Sequence, residues 1–141
     1  MRRIGSVNID LMERINYSSG SDWEHQVGYS RAVRMGNIIE VAGTTATQEG
    51  KVIGENDPFL QTKFILEKIE KVLMELGAEV SDVIRTRIYV TDISQWQAIG
   101  RAHEAFFRDT LPAATMVEVK ALVDPRLLVE IEVSAITRDA S

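Results

Sequence analysis

The chain has 141 residues, 45% of them hydrophobic and 26% charged, with a formal net charge of −5 and no cysteine. This length and balance fit one globular domain spanning 1–141. They exclude disulfides, thiol nucleophiles and thiolate metal sites, supply no apolar run near the ~18 residues of a membrane helix, and argue against non-specific nucleic-acid binding, which needs clustered Lys and Arg. Met1 to Ser6 lacks the apolar core of a signal peptide, so a cytoplasmic location is expected.

In chain order, Arg2 to Asn8 has the pattern of a short strand, and the polar run Asn16 to Asp22 reads as a loop. Tyr29 to Met35 predicts a strand that Gly36-Asn37 joins to Ile38–Ala42 as a tight hairpin. Gly43 follows at once, where a glycine ending a strand marks a close approach of the backbone to another chain or a ligand. Gln48-Glu49-Gly50 is a turn and Lys51–Ile53 a short returning strand. Asp57-Pro58 is a helix start, because Asp caps free N–H groups and Pro suits the first helical position. The stripe Ile65, Ile69, Val72, Leu73 and Leu76 carries that helix to Gly77.

Val83 to Val90 alternates, with Ile84, Thr86, Ile88 and Val90 on one face and Arg85, Arg87 and Tyr89 on the other. Asp92 and Gln95 have capping-box spacing for a second helix whose inner stripe is Trp96, Ile99, His103 and Phe106, ending near Arg108. Two strands close the chain. Thr115, Val117 and Val119, then Leu127, Val129, Ile131 and Val133, are expected inside, which leaves Met116 and Glu118, then Leu128, Glu130 and Glu132, on a second face. The order predicts an α+β fold with two helices covering one face of a sheet and an Arg/Glu/Tyr face left open. That face is either a self-association surface or a solvated array of salt bridges.

Several segments carry a resemblance: Gly28-Tyr29-Ser30-Arg31-Ala32, Val41-Ala42-Gly43, Arg85 to Asp92, Phe106-Phe107, Pro112-Ala113 with Val117-Glu118-Val119, and Val129-Glu130-Ile131-Glu132. In order and spacing, from about Val27 to Ile136, they resemble the RidA/YjgF family. The resemblance implies a chorismate-mutase-like α+β fold with a mixed sheet, assembled as a homotrimer with small-molecule clefts between subunits. It further implies hydrolysis of reactive enamines and imines to a carbonyl product and ammonia with no cofactor, although some members are described as translation inhibitors or ribonucleases.

Carried over residue by residue, the resemblance retains Tyr29 and Glu130 as catalytic positions and Gly43 as a backbone lining the ligand cleft. It departs at Ala114, where the family has an arginine that grips the substrate carboxylate, at Met116, where a cysteine is usual, and at Gly100, where an asparagine is frequent. A methyl group does not replace the paired hydrogen bonds of a guanidinium. Either another cation enters the cleft, with Arg31 ahead of Arg87, or the ligand has no carboxylate. Arg87 equally suits a cross-strand pair with Glu118 or Glu132.

Glu130, partly buried, would serve as a general base toward water or as a structural partner in an ion pair. Tyr29 would donate to a ligand or pack its ring in a subunit seam. His103 reads as a core residue and His25 as a loop histidine near the cleft, and neither sits in metal-ligand spacing. Three function classes remain: an imine or enamine hydrolase of altered range, a metabolite-binding module without turnover, and an RNA-directed protein, which the acidic balance disfavours.

Overall fold

The computed structural model describes residues 13–138. In chain order its elements are β1 (Arg14–Tyr17), α1 (Asp22–Val27), β2 (Ala32–Met35), β3 (Ile38–Thr45), β4 (Thr47–Gln48), β5 (Lys51–Val52), α2 (Pro58–Glu75), β6 (Val83–Val90), α3 (Trp96–Phe107), β7 (Ala113–Glu118) and β8 (Val129–Ile136). Six strands form one sheet in the order β1-β2-β3-β8-β6-β7, and β4 pairs only with β5. Every neighbouring pair is antiparallel except β6 and β7, which are parallel and joined through α3.

The last strand in sequence is therefore central in space, bonded to β3 on one side and β6 on the other. It alternates: Val129, Ile131, Val133 and Ala135 are buried, whereas Glu130, Glu132 and Ile136 are not, and only Ser134 on the second face is buried as well. The buried set meets Ile65, Leu66, Ile69 and Leu73 of α2 together with Ile99 and Phe107 of α3, so both long helices lie on one face and the α+β expectation holds.

Helix α2 begins as expected, with Pro58 in its first turn and the Asp57 carboxylate accepting from Leu60 N at 3.0 Å. It ends at Gly77, which takes the left-handed φ of 83°. A cation completes that end: Arg34 donates to the Leu76 carbonyl at 2.5 Å and to the Gly36 carbonyl at 2.8 Å, tying the β2–β3 turn to the helix C-terminus. In that turn only Gly36 takes positive φ, at 62°.

Several sequence expectations are corrected. The expected loop from Asn16 to Asp22 is instead the end of β1, a short turn and the start of α1, capped by Ser21 through Trp23 N at 3.1 Å. Strand β2 starts at Ala32, because Gly28 and Tyr29 are spent on the C-cap of α1. Ile84 is 50% exposed, since a bulge between Val83 and Arg85 gives the inward position to Val83. Trp96 is also exposed: Asp92 bonds Ser94, and the 3-10 turn Ile93–Gln95 rotates the helix so that Ala102 and Phe107 join Ile99 inside.

Strand β7 is turned over relative to expectation. Its parallel register sets Met116 beside Ile88, Ala114 beside Thr86 and Glu118 beside Val90, all on the helix side, while Thr115 and Val117 stand beside Arg87 and Tyr89 on the open face. Apart from the terminal Glu118, both faces of β7 are small or apolar, so its pattern does not fix its orientation; the crossover through α3 does. Met116 and Leu128 accordingly pack against the core instead of facing outward. The candidate strand from Arg2 to Asn8 lies outside the described residues.

Arg34→Met keeps the length of the side chain and removes its hydrogen bonds. The expected loss is about 1.5–3 kcal/mol of unfolding free energy in urea titration, the range for a bond between a charged donor and a carbonyl.

Candidate functional site

The open face of the sheet is organised by cross-strand rows. Glu130 of β8 stands between Thr45 of β3 and Tyr89 of β6, and Glu132 stands beside Arg87. Tyr89 donates its hydroxyl to Glu132 at 2.7 Å, and Arg87 Nε lies 3.9 Å from the same carboxylate. Ser134 donates to Glu40 at 2.7 Å. The bond to Glu132, then burial and the charge of Glu132, push the Tyr89 phenol above its usual range. Arg87 is thus the partner of Glu132, one of the alternatives open from sequence, whereas Glu118 leaves this face and accepts from Ile93 N at 2.9 Å.

Glu130 has no hydrogen bond or ion pair among the described residues. Its carboxylate packs over the backbone of Gly43: a Cβ built at Gly43 would come within 2.1 Å of Glu130 Oε2. Gly43 lies within β3, and its close approach in the single chain is to a side chain, Glu130, where another chain or a ligand was expected. Burial raises the Glu130 pKa, the field of Arg31 opposes the rise, and neighbouring Glu132 adds to it.

Arg31 is the hub of the cluster. Its Nη2 donates to the Gly43 carbonyl, and its guanidinium sits 5.7 Å from the centroid of the Tyr29 ring. Its Nε is closed off from solvent and has no partner among the described residues, an orphan of the kind that marks a site completed by another group. Lys68 of α2 lies in the same field; burial and the charge of Arg31 lower its pKa, and its Nζ donates to the Thr47 carbonyl at 2.7 Å.

Helix α1 holds this hub in place. Glu24 is only 4% exposed. Its carboxylate accepts from Ser18 Oγ at 2.9 Å, from Ser19 N at 3.3 Å and from Ser19 Oγ. Burial works to raise its pKa, but the Ser19 and Ser18 bonds, with the Arg31 charge, outweigh it, and the net shift is downward. The Glu24 carbonyl accepts from Gly28 N at 2.8 Å and Tyr29 N at 3.0 Å, which turns the chain toward Arg31. Asn16 donates to Ser30 Oγ at 2.9 Å and Arg31 N to the Tyr17 carbonyl at 2.9 Å, so the Tyr29–Arg31 segment is braced from both sides.

Tyr29 also borders a groove of about 660 Å³ on the open face, with Arg14, Glu24, His25, Glu40 and Glu132 among its lining residues. His25 lies on α1, where a loop had been expected. His103 is half-buried beneath the sheet, shares a 2.9 Å bond with Thr86 and packs 4.7 Å from the Phe107 ring; burial lowers its pKa. No group of three or more potential metal ligands occurs among the described residues.

Of the residues singled out from sequence, Tyr29, Arg31, Gly43 and Glu130 come together, and Ala114 and Met116 do not join them within one chain. Those two occupy the helix side of edge strand β7, and Gly100 of α3 faces open space. Glu24 and Lys68 were missed. The only trace of Glu24 in the sequence is its place four and five residues before Gly28 and Tyr29, the spacing of a helix C-cap.

Residues 21–137 match the sequence model of the endoribonuclease L-PSP family. Among solved structures, Rv2704 of Mycobacterium tuberculosis, described as a member of the YjgF/YER057c/UK114 family, is similar at 48% identity and a TM-score of 0.81, over 89% of this chain and 100% of that one. An uncharacterized protein of Streptomyces coelicolor is 39% identical over 83% of this chain and 87% of its own length. A RutC family protein of Pyrococcus abyssi is 32% identical over 76% of this chain and 84% of its own.

The raised pKa of Glu130 has a thermodynamic signature. A carboxyl whose folded pKa lies above its unfolded value of 4.5 stabilises the fold below that value and withdraws the contribution as pH rises through the folded pKa. Glu130→Gln is therefore expected to be more stable than the unaltered chain at neutral pH, with the gain shrinking as pH falls toward 4.5. Unfolding free energies across this range would show it, and a gain independent of pH would contradict it.

Proposed function

Because this chain belongs to the RidA/YjgF family, whose sequence model carries the description endoribonuclease L-PSP, we propose that it hydrolyses reactive imines or enamines to a carbonyl compound and ammonia, with a substrate range unlike that of members bearing the arginine. The observation that carries this reading is the Glu130 carboxylate: half-buried, without a direct partner among the described residues, raised in pKa and seated on the bare backbone of Gly43. Such a group suits the role of a general base toward water. Water attacks the iminium carbon as one of its protons passes to Glu130. The resulting carbinolamine regains that proton on nitrogen, its C–N bond breaks, and the hydroxyl proton leaves as the carbonyl forms. Tyr29, whose ring lies beside Arg31, supplies a hydroxyl to orient the ligand. No cofactor takes part.

Ala114 supports the altered range. The cationic anchor is absent there, and Arg31 is already engaged by the Gly43 carbonyl and the Tyr29 ring. Ala114 and Met116 can serve the same ligand as Glu130 only if they come from a neighbouring copy, because they lie on the other side of the sheet. This supports a homotrimer with its clefts between subunits and its open faces turned toward the centre. The row Met35, Ile38 and Ile136, each more than a third exposed in a single chain, gives that centre an apolar part.

In a coupled assay, ammonia release from imines generated from amino acids is expected to be close to the uncatalysed rate, and Ala114→Arg to raise it. With imines generated from simple amines, Glu130→Gln is expected to lower kcat about 100-fold. Binding of these compounds with no turnover dependent on Glu130 would instead assign a metabolite-binding module.

Sedimentation velocity at micromolar concentration is expected to give a trimer. Arg87→Glu, which sets a second carboxylate beside Glu132, should disturb that assembly more than Glu130→Gln; a stable monomer would remove the inter-subunit cleft.

A further inference from the structure

We infer that Gly43 is a positioning residue for the site: the missing side chain at this point of β3 is what seats the Glu130 carboxylate, so the glycine is required by Glu130 and not by its own backbone, by a ligand or by another chain. The part of this that concerns turnover rests on the reading of Glu130 as the base.

Backbone geometry does not call for a glycine here. The φ of Gly43 lies outside the left-handed region, and a glycine inside a strand costs backbone entropy that an alanine does not. Space does call for one. The three nearest heavy neighbours of a Cβ built at Gly43 are Oε2, Cδ and Cγ of Glu130, with Cδ at 2.9 Å, Cγ at 3.2 Å and Oε2 closer still. All three belong to the outer part of one long side chain, so a methyl group there displaces the carboxylate while the sheet beneath it stands.

The bulge brings this seat to Glu130 and holds it there. Between the pairs Val41–Val133 and Thr44–Ile131 the register of β3 and β8 shifts, so that Ala42 and Gly43 together face Glu132 alone. Three bonds fix the bulge: Ala42 N donates to the Arg31 carbonyl at 3.0 Å, Thr44 Oγ1 to the Ala42 carbonyl at 2.9 Å, and Arg31 Nη2 to the Gly43 carbonyl. Glu130 in turn starts from a strand bonded on both sides, so its Cα cannot follow a displaced carboxylate. Among the described residues no hydrogen bond holds that carboxylate. Of its row neighbours, Tyr89 gives its hydroxyl to Glu132, and Thr45 shares a 3.1 Å bond with Thr47. Packing against Gly43 is therefore what sets the position of Glu130. A glycine kept for a ligand or for a neighbouring copy behaves otherwise, because an added methyl would obstruct that group whatever residue stood at position 130.

The test is a carbon-13 NMR titration of the Glu130 side-chain carboxyl in the full chain carrying Gly43→Ala, with amide spectra reporting on the fold. The charged groups that act on Glu130, Arg31 and Glu132, are unchanged in this variant, so a displaced carboxylate reveals itself by the burial it loses. The Glu130 midpoint is expected to fall by about half a pH unit or more toward 4.5. On imines generated from simple amines, Gly43→Ala is expected to lower kcat about as far as Glu130→Gln does, and to add nothing in the Glu130→Gln background. An unmoved midpoint overturns the inference. So does a further full loss in the Glu130→Gln background, since the methyl then meets the ligand itself. Should Gly43→Ala not fold, the double variant Gly43→Ala with Glu130→Ala is expected to fold, because the side chain that the methyl meets is gone; a double variant that also fails to fold overturns the inference as well. A protein that releases no ammonia refutes the hydrolase reading, and the titration still decides whether Gly43 places Glu130.

Discussion

The period-two geometry of β8 is the constraint on which the rest depends. A strand bonded on both sides cannot turn, so placing Val129, Ile131, Val133 and Ala135 in the core forces Glu130, Glu132 and Ser134 to the opposite face. The two long helices are both committed to the core side, so neither covers the carboxylates. The open face must therefore neutralise its own charge, and it does so in rows: Tyr89 and Arg87 on Glu132, Ser134 on Glu40. Glu130 is outside that arrangement. Its neighbours in the row are Thr45 and Tyr89, and the Tyr89 hydroxyl is already given to Glu132. Among the described residues Glu130 is thus left half-buried and without a direct partner at the point where β3 bulges past Ala42 and Gly43.

How much of this was legible from sequence follows from where side chains have one possible environment. Helix α2 could be read from Asp57-Pro58 to Gly77, because its cap, its stripe and its stop all point the same way. Strands β6 and β8 were legible for the same reason, apart from the bulge at Ile84, which no alternation reveals. The orientation of β7 was not, since Ala113, Thr115 and Val117 are hardly more polar than Ala114 and Met116, and a parallel register is set by the crossover before it. Helix α1 has only six residues, too short for a periodic stripe, and its polar composition resembles a turn.

The site divides along the same line. Gly43 was recognisable as a glycine in a strand pattern, although β3 continues past it to Thr45 through a bulge, and the group it admits proved to be Glu130 of the same chain. Tyr29 and Arg31 came from the resemblance and from their adjacency. Glu24 could not be found by either route, since its role depends on a carbonyl that caps its own helix and on a carboxylate turned inward from a helix of mostly exposed residues. A buried acid in a polar segment carries no pattern. Its signal is the charge it meets in three dimensions, here Arg31.

The placement of Ala114 and Met116 constrains any assembly in which they share a ligand with Glu130. In a two-fold dimer the same patch meets itself, so both halves of a shared site would have to lie within one surface. Glu130 lies on the open face of the sheet, and Ala114 and Met116 on the helix side of its edge strand, so a flat self-complementary patch does not hold both. A contact that joined them would be heterologous, the edge of one copy against the open face of the next. A heterologous contact repeats until it closes, and closure needs three or more copies. The right-handed twist of a six-stranded sheet turns the open face into a curved wall, which favours a small ring over an open filament. On the proposed reading, the inversion of β7 that sequence reasoning missed is therefore what requires a ring: had Met116 and Ala114 shared the face of Glu130, a dimer would have sufficed.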